Sequence, residues 1–277
     1  MAHSCHPGAE KQGREDHPQR SIGRVHRNVT RESPLELLLP RAVTLFLSRV
    51  DLGQARLMGA QLCLIDGTYE LFRAYSAAPS RSSALGEIGA LVFLGRSLHA
   101  LAKSGEFSHF AVAFDTVIES FRNDLFAGYK TGEGIDPPLW HQFPFAERLT
   151  SALGLPVLSM REFEADDGIA TLAERFRQDT RFERVVIASP DKDLMQCVTG
   201  DRIVSWDRLR KTRYDEAGVV QKFGIRPPSI PDYLALVGDT ADGIPGVPRW
   251  GARSASTLLA QYGHFEAIPR RLEDWNV

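Results

Sequence analysis

The sequence is poor in cysteine and has none at a pairing or metal-binding spacing. Three cysteines occur in 277 residues, Cys5, Cys63 and Cys197, far apart and without a CxxC motif. That excludes a disulfide framework and a cysteine zinc site, and fits a reducing compartment. Long apolar runs are also missing: the best stretch, residues 35–50, is cut by Pro40, Arg41 and Arg49, so no membrane span is expected. The first residues lack the basic, apolar, small-residue order of a secretory signal. Together these absences predict a cytoplasmic protein. Charge of one sign is not in excess either, with 33 basic against 35 acidic residues and a net charge of -2. The balance does not advertise a nucleic-acid binder, but a carboxylate-rich site lowers net charge while a basic rim still grips phosphate. No internal repeat is present.

What is present is an ordinary globular composition, 43% hydrophobic and 25% charged. The length suits one large domain, or a domain with an appendage. Residues 1–57 stand apart. The stretch 3–31 is rich in His, Arg, Gln, Gly and Glu and has almost no apolar periodicity, which predicts a disordered extension. Ser33 and Glu36 could cap a short helix that Pro40 soon interrupts. Met58 precedes the first clear strand and is a candidate start of translation.

From residue 58 to about 212 the pattern is α/β. Buried strands are expected over 61–66, 110–115 and 184–189, the last ended by Pro190, and helices over 85–103, 145–153 and 166–178, with Gly154 as a stop. Alternation of this kind implies a mostly parallel sheet covered on both faces. From about 213 to 277 the chain turns helical, over 216–223, 230–237 and 253–262, with Gly224 and Gly263 as C-caps.

Acids mark the strand ends: Asp66, Asp115 and, just past Pro190, Asp191. One aspartate at a strand end is usually a turn residue. Three at the carboxyl edge of a parallel sheet lie where ligands bind in such folds. Tighter groups add to them. Glu164, Asp166 and Asp167 open a helix, where acids also serve as caps. Asp191 and Asp193 point to the same side if the segment is extended. Asp239 and Asp242 share one face of a helical turn. If these nine acids converge, they cannot all ionise without cations. Mg²⁺ or Mn²⁺, which prefer oxygen ligands, would resolve the repulsion, and two such ions about 4 Å apart support phosphoryl transfer. No histidine lies in these groups, which argues against zinc.

Basic and aromatic residues flank the acids. Arg73 follows Asp66 by seven positions, and Phe121-Arg122 and Tyr129-Lys130 follow Asp115. A cation there can offset charge on a phosphate, and an aromatic can stack on a base, although snorkelling cations and packed rings are the commoner fate. The segment from Gly243 through Gly246 and Val247 to Gly251, with Arg253 beyond it, reads as a hairpin between helices whose backbone N–H groups face a phosphate.

With those residues in view, the chain from about Ala60 to Asn276 resembles the bacterial and phage 5′ nucleases, such as the N-terminal nuclease domain of DNA polymerase I and its stand-alone relatives. The resemblance rests on Ile65-Asp66-Gly67, Phe114-Asp115, Phe121-Arg122, Gly128-Tyr129-Lys130, Glu164-Ala165-Asp166-Asp167, Asp191-Lys192-Asp193-Leu194 and Gly238-Asp239 through Asp242 to Pro245-Gly246. It implies a PIN-like α/β core plus a helix-hairpin-helix region. It implies Asp66, Asp115, Glu164, Asp166 and Asp167 around one metal, and Asp191, Asp193, Asp239 and Asp242 around a second. It also implies Arg73, Arg122 and Lys130 at the reacting phosphate, Tyr129 near the displaced 5′ strand, and the hairpin on duplex DNA, often with a potassium ion. The implied partners are DNA with 5′ flaps, nicks or branches, or an RNA–DNA hybrid, at the bacterial nucleoid. Two departures stand out: Glu133 replaces a basic residue common in relatives, and Pro248 in the hairpin supplies no N–H. Among alternatives, a haloacid-dehalogenase phosphatase needs an aspartate where Leu64 stands. A PIN-type ribonuclease generally lacks the hairpin, and a non-catalytic branched-DNA binder would have lost acids.

Overall fold

The computed structural model describes residues 59–84 and 86–277. The extension 1–57, the Ser33 cap, Met58 as a start and Leu85 lie outside the described residues. The chain runs β1 (Gln61–Asp66), α1 (Gly67–Ala77), a small ribbon of β2 (Ser82–Ser83) and β3 (Gly86–Glu87), α2 (Gly89–Lys103), β4 (His109–Asp115), α3 (Phe121–Leu125), α4 (Pro137–Trp140), α5 (Phe143–Ala152), β5 (Val157–Met160), α6 (Ala165–Phe176) and β6 (Arg184–Ala188). A 3₁₀ turn (Asp193–Cys197) leads to β7 (Ile203–Asp207) and β8 (Thr212–Tyr214). After these come α7 (Glu216–Phe223), α8 (Ile230–Val237) and α9 (Ala252–Tyr262).

The main sheet has the order β5-β4-β1-β6-β7-β8. All its pairs are parallel except the last, β7 with β8. Its faces follow from the two-residue period of a strand. Cys63 and Ile65 of β1 join Leu71, Leu94, Leu98 and Ala146 from α1, α2 and α5. The alternating Leu62 and Leu64 join Ile169, Leu172 and Phe176 of α6 on the opposite face. A third core ties Met195 of the 3₁₀ turn to Val219, Ile230, Leu234, Ala255 and Leu259 of the helical region. The chain leaves β1 for β4 on one side and returns to β6 on the other. The topological switch therefore lies between β1 and β6, which opens a crevice at their carboxyl ends.

The α/β reading holds, with local corrections. The helix expected over 85–103 starts at Gly89, because Gly86 and Glu87 pair with Ser83 and Ser82. Strands β5, β7 and β8 were not anticipated: β5 has four residues, and β7 carries Ser205, Trp206 and Asp207 in place of an apolar run. The 230–237 helix falls where its periodicity predicts.

Candidate metal centre

Asp66 is at once the last residue of β1 and the N-cap of α1. Its Oδ1 accepts from the Tyr69 N–H at 2.8 Å, and its Oδ2 from the Ser189 hydroxyl at 3.0 Å. Gly67 is required next to it, since a Cβ there would lie 2.6 Å from the Phe114 ring and 2.8 Å from the Ala113 carbonyl. Asp115 ends β4. Its Oδ1 accepts from the N–H of Ala165, the first residue of α6, at 2.7 Å, while its own N–H donates to Thr68 Oγ1 at 2.8 Å. These bonds lock the ends of β1, β4 and α6 together. Glu164 caps α6 and is buried. It accepts from Ser120 Oγ at 2.6 Å and Tyr129 Oη at 3.1 Å, and pairs with Lys130 Nζ at 2.9 Å.

The second group forms where the 3₁₀ turn meets the end of α8. Asp191 Oδ1 accepts from the Asp193 N–H at 2.9 Å, and the Asp191 N–H donates to Ser189 Oγ at 3.2 Å. Asp193 therefore opens a 3₁₀ turn and does not continue an extended segment. Asp239 and Asp242 occupy a turn closed by Asp239 and Ile244, not the helical turn expected. One oxygen each from Asp193, Asp239 and Asp242 nevertheless lies within 4.8 Å of the others. Lys130 joins the two groups, its Nζ 2.9 Å from both Glu164 Oε2 and Asp242 Oδ1. Lys192 pairs with Asp239 Oδ2 at 2.7 Å.

Burial and mutual repulsion set the charge state. Burial pushes the Asp66 carboxyl up to about 7, with Asp115 and Asp191 adding to it. Burial likewise raises Asp193 to about 7, helped by Asp191, Asp242 and Asp239. Asp115, Asp166 and Asp191 are also raised, burial first and neighbouring carboxylates next. Glu164 goes the other way. Burial opposes its charge, but the Ser120 hydrogen bond and the Lys130 and Arg122 cations more than reverse that. For Lys130, burial is outweighed by Glu164 and Asp242, so the ammonium is strengthened. The donor set is all carboxylate oxygen, which suits hard divalent cations. Asp193 Oδ1 is buried with no hydrogen-bond partner, an orphan that a cation would satisfy.

The model of the 5′-3′ exonuclease N-terminal resolvase-like domain matches residues 61–224, and that of the 5′-3′ exonuclease C-terminal SAM fold matches residues 225–277. A 5′-3′ exonuclease of Aquifex aeolicus is 35% identical over 216 residues, covering 77% of this chain and 73% of that one. The chain belongs to the 5′-3′ exonuclease family. A 5′-3′ exonuclease of Buchnera aphidicola is 35% identical over 76% of this chain and 69% of its own. DNA polymerase I of Pseudomonas aeruginosa is 41% identical over 74% of this chain, which spans 22% of that protein. Among solved structures, bacteriophage T5 5′-exonuclease with bound zinc shares the fold at a TM-score of 0.60 and 19% identity, over 73% of this chain and 76% of that one. A bacteriophage T5 flap endonuclease in a pseudo-enzyme–product complex with DNA and metal ions does so at 0.62 and 18%, over 77% and 81%.

In this 5′-3′ exonuclease family member, the residues singled out from the sequence engage different parts of the acidic set, and some engage none of it. Arg122 lays its guanidinium fork on Asp167, with both bonds at 2.8 Å, and its plane over Phe121. Asp167 also accepts from the Glu164 N–H at 2.9 Å, so its oxygens are engaged away from the cluster. Tyr129 is buried against Glu164 and not displayed. Arg73 pairs with Glu70 and donates to Ser97 Oγ at 3.3 Å. It lines a separate cleft of about 710 Å³ with Arg96, Arg208 and Lys211, none of the nine acids among its walls. In the hairpin, Gly243 and Gly246 adopt left-handed backbone, and Val247, Gly251 and Arg253 are exposed. Sequence reasoning missed Thr68, Ser120, Ser189 and Lys192, which orient or pair the acids, and Arg96, Arg208 and Lys211, which complete the basic cleft. Only the DKD spacing around Lys192 carried a signal.

Proposed function

We propose that this protein is a structure-specific 5′-3′ nuclease that hydrolyses DNA phosphodiester bonds near 5′ ends, with divalent cations held by two carboxylate groups. The carrying observation is the convergence of Asp66, Asp115, Asp166 and Asp191 with the triad Asp193, Asp239 and Asp242, buried enough to hold several carboxyls well above their usual range. Mg²⁺ or Mn²⁺ bound there supplies Lewis acidity, making water nucleophilic near neutral pH and stabilising the leaving 3′ oxygen.

The chain's own residues do the rest. Asp66, Asp115 and Asp166 form the first group, and Asp191, Asp193, Asp239 and Asp242 the second. Glu164 and Asp167 act from behind the first group, fixing the segment that bears Tyr129, Lys130 and Arg122. Lys130 bridges Glu164, behind the first group, and Asp242 of the second, and offers its ammonium to the scissile phosphate as that charge arrives. Family membership and the fold shared with a T5 flap endonuclease bound to DNA and metal ions favour branched or flapped DNA as substrate. The cleft of Arg73, Arg96, Arg208 and Lys211 and the turn 243–251 suit sequence-independent contact with phosphates. Potassium at that turn and an RNA–DNA hybrid as an alternative substrate belong to the same reading.

The test is metal-dependent hydrolysis of 5′-labelled nicked DNA. EDTA abolishes it, Mg²⁺ or Mn²⁺ restores it, and Asp115→Asn lowers it about 100-fold or more, in keeping with the loss of a charge-stabilising group. Undiminished cleavage in EDTA overturns the reading.

A further inference from the structure

The second carboxylate group already carries cations of its own. Asp242 Oδ1 holds Lys130 at 2.9 Å, and Asp239 Oδ2 holds Lys192 at 2.7 Å. The other Asp239 oxygen accepts from the Ala241 N–H at 3.1 Å. Asp193 alone keeps a buried, unpartnered oxygen. Among the described residues no ion pair reaches Asp66, Asp115 or Asp166 of the first group. The two groups therefore differ: Lys130 and Arg122 pair with Glu164 and Asp167 behind Asp66, Asp115 and Asp166, which have no ion pair of their own, whereas Asp239 and Asp242 of the second group are themselves held by lysines.

Lys192 is anchored at its backbone, while its paired tip is partly exposed to water. The Met195 N–H donates to the Lys192 carbonyl at 3.0 Å, and the buried Leu194 and Met195 pin the turn. Its side chain is 37% exposed, with the long stem of a lysine able to swing toward water. A divalent cation entering the triad takes Asp239 Oδ2 only by evicting that ammonium. We propose that Lys192 is a built-in competitor that weakens cation binding at the second group and so separates the affinities of the two groups. This rests on the reading that both groups hold cations. The consequence is a graded enzyme: the first group fills at low free cation, and the second fills only at higher concentration, once Lys192 has left.

A bracing role makes the opposite prediction. If Lys192 merely held Asp239 in place, its removal would loosen the triad and weaken cation binding. The experiment titrates Mn²⁺ alone against the full chain, reading free Mn²⁺ by electron paramagnetic resonance, for the wild type, Lys192→Met, Lys192→Arg and Asp193→Asn. The expected result is two classes of site in the wild type. Lys192→Met tightens the weaker class about two- to fivefold, the scale of a partly exposed ion pair, and leaves the tighter class unchanged. Lys192→Arg binds as the wild type does, and Asp193→Asn loses the weaker class. A weaker class that is unchanged or loosened in Lys192→Met overturns the proposal. A single class in the wild type removes the two-group reading itself, and the proposal with it, before any substitution is made.

Discussion

Asp66 and Asp193 are held near neutrality by burial first and by neighbouring carboxylates next, and that has a thermodynamic signature. Their folded-state values of about 7 lie far above those of an unfolded aspartate. Below the unfolded value both states are protonated and nothing is lost. As pH rises toward 7 the unfolded chain ionises more readily than the folded one, so stability falls, and it levels off above 7. In EDTA, the melting temperature should therefore drop between about pH 4 and pH 7. Mg²⁺ should recover most of that loss, with the largest gain above pH 7. A melting temperature insensitive to pH and to cation would contradict the burial of these acids. Ser189 gives a second residue-scale prediction. It is buried, and its hydroxyl ties Asp66 to the Asp191 backbone. Ser189→Ala should cost about 1–3 kcal/mol in chemical denaturation and weaken Mn²⁺ binding measured directly. The acids themselves were legible because strand ends and DKD-type spacing announce them. Ser189 and Ser120 were not, because their partners meet them only once distant strands are aligned. Arg73 is placed by the helix: seven residues carry it about 10 Å along α1 from Asp66, at 1.5 Å per residue, where it lines the basic cleft.

At the scale of elements, the turn after α8 and the Gly128–Lys130 segment function as one piece. The Lys130 N–H donates to the Asp242 carbonyl at 3.2 Å. A Cβ at Gly243, whose φ is +77°, would sit 2.0 Å from the Gly128 carbonyl oxygen. Gly243→Ala should therefore part the two segments, costing about 1–3 kcal/mol through strain alone, and lower cleavage by moving Lys130 off Asp242. An unchanged denaturation midpoint would show that the contact is not needed. Elements were readable where a single face or a continuous apolar run was long enough, as in β1, β4, β6 and α8. The short β5 and the mixed-polarity β7 escaped, because their strand state comes from pairing with β4 and β6 and not from their own pattern.

At the scale of the whole molecule, a cluster of acids and a separate basic cleft coexist in a protein whose net charge is only -2. Arg96 and Lys211 line the cleft and are remote in sequence from the acids. Replacing both by Ala should weaken binding to duplex DNA without regard to sequence. It should also reduce the slope of log affinity against log salt by about 1 per lost phosphate contact. A slope equal to that of the wild type would exclude the cleft from the DNA path. No helix among the described residues is long and apolar enough to cross a membrane.

The central claim is tested most directly with a 5′-flap DNA labelled at its 5′ end, incubated with the full chain in Mg²⁺ beside matched single-stranded DNA and RNA. The proposed mechanism predicts a discrete product cut at the flap junction, absent in EDTA and absent with Asp191→Ala. Tight binding of the flap with no cut in either Mg²⁺ or Mn²⁺, or an Asp191→Ala variant as active as the wild type, would contradict it.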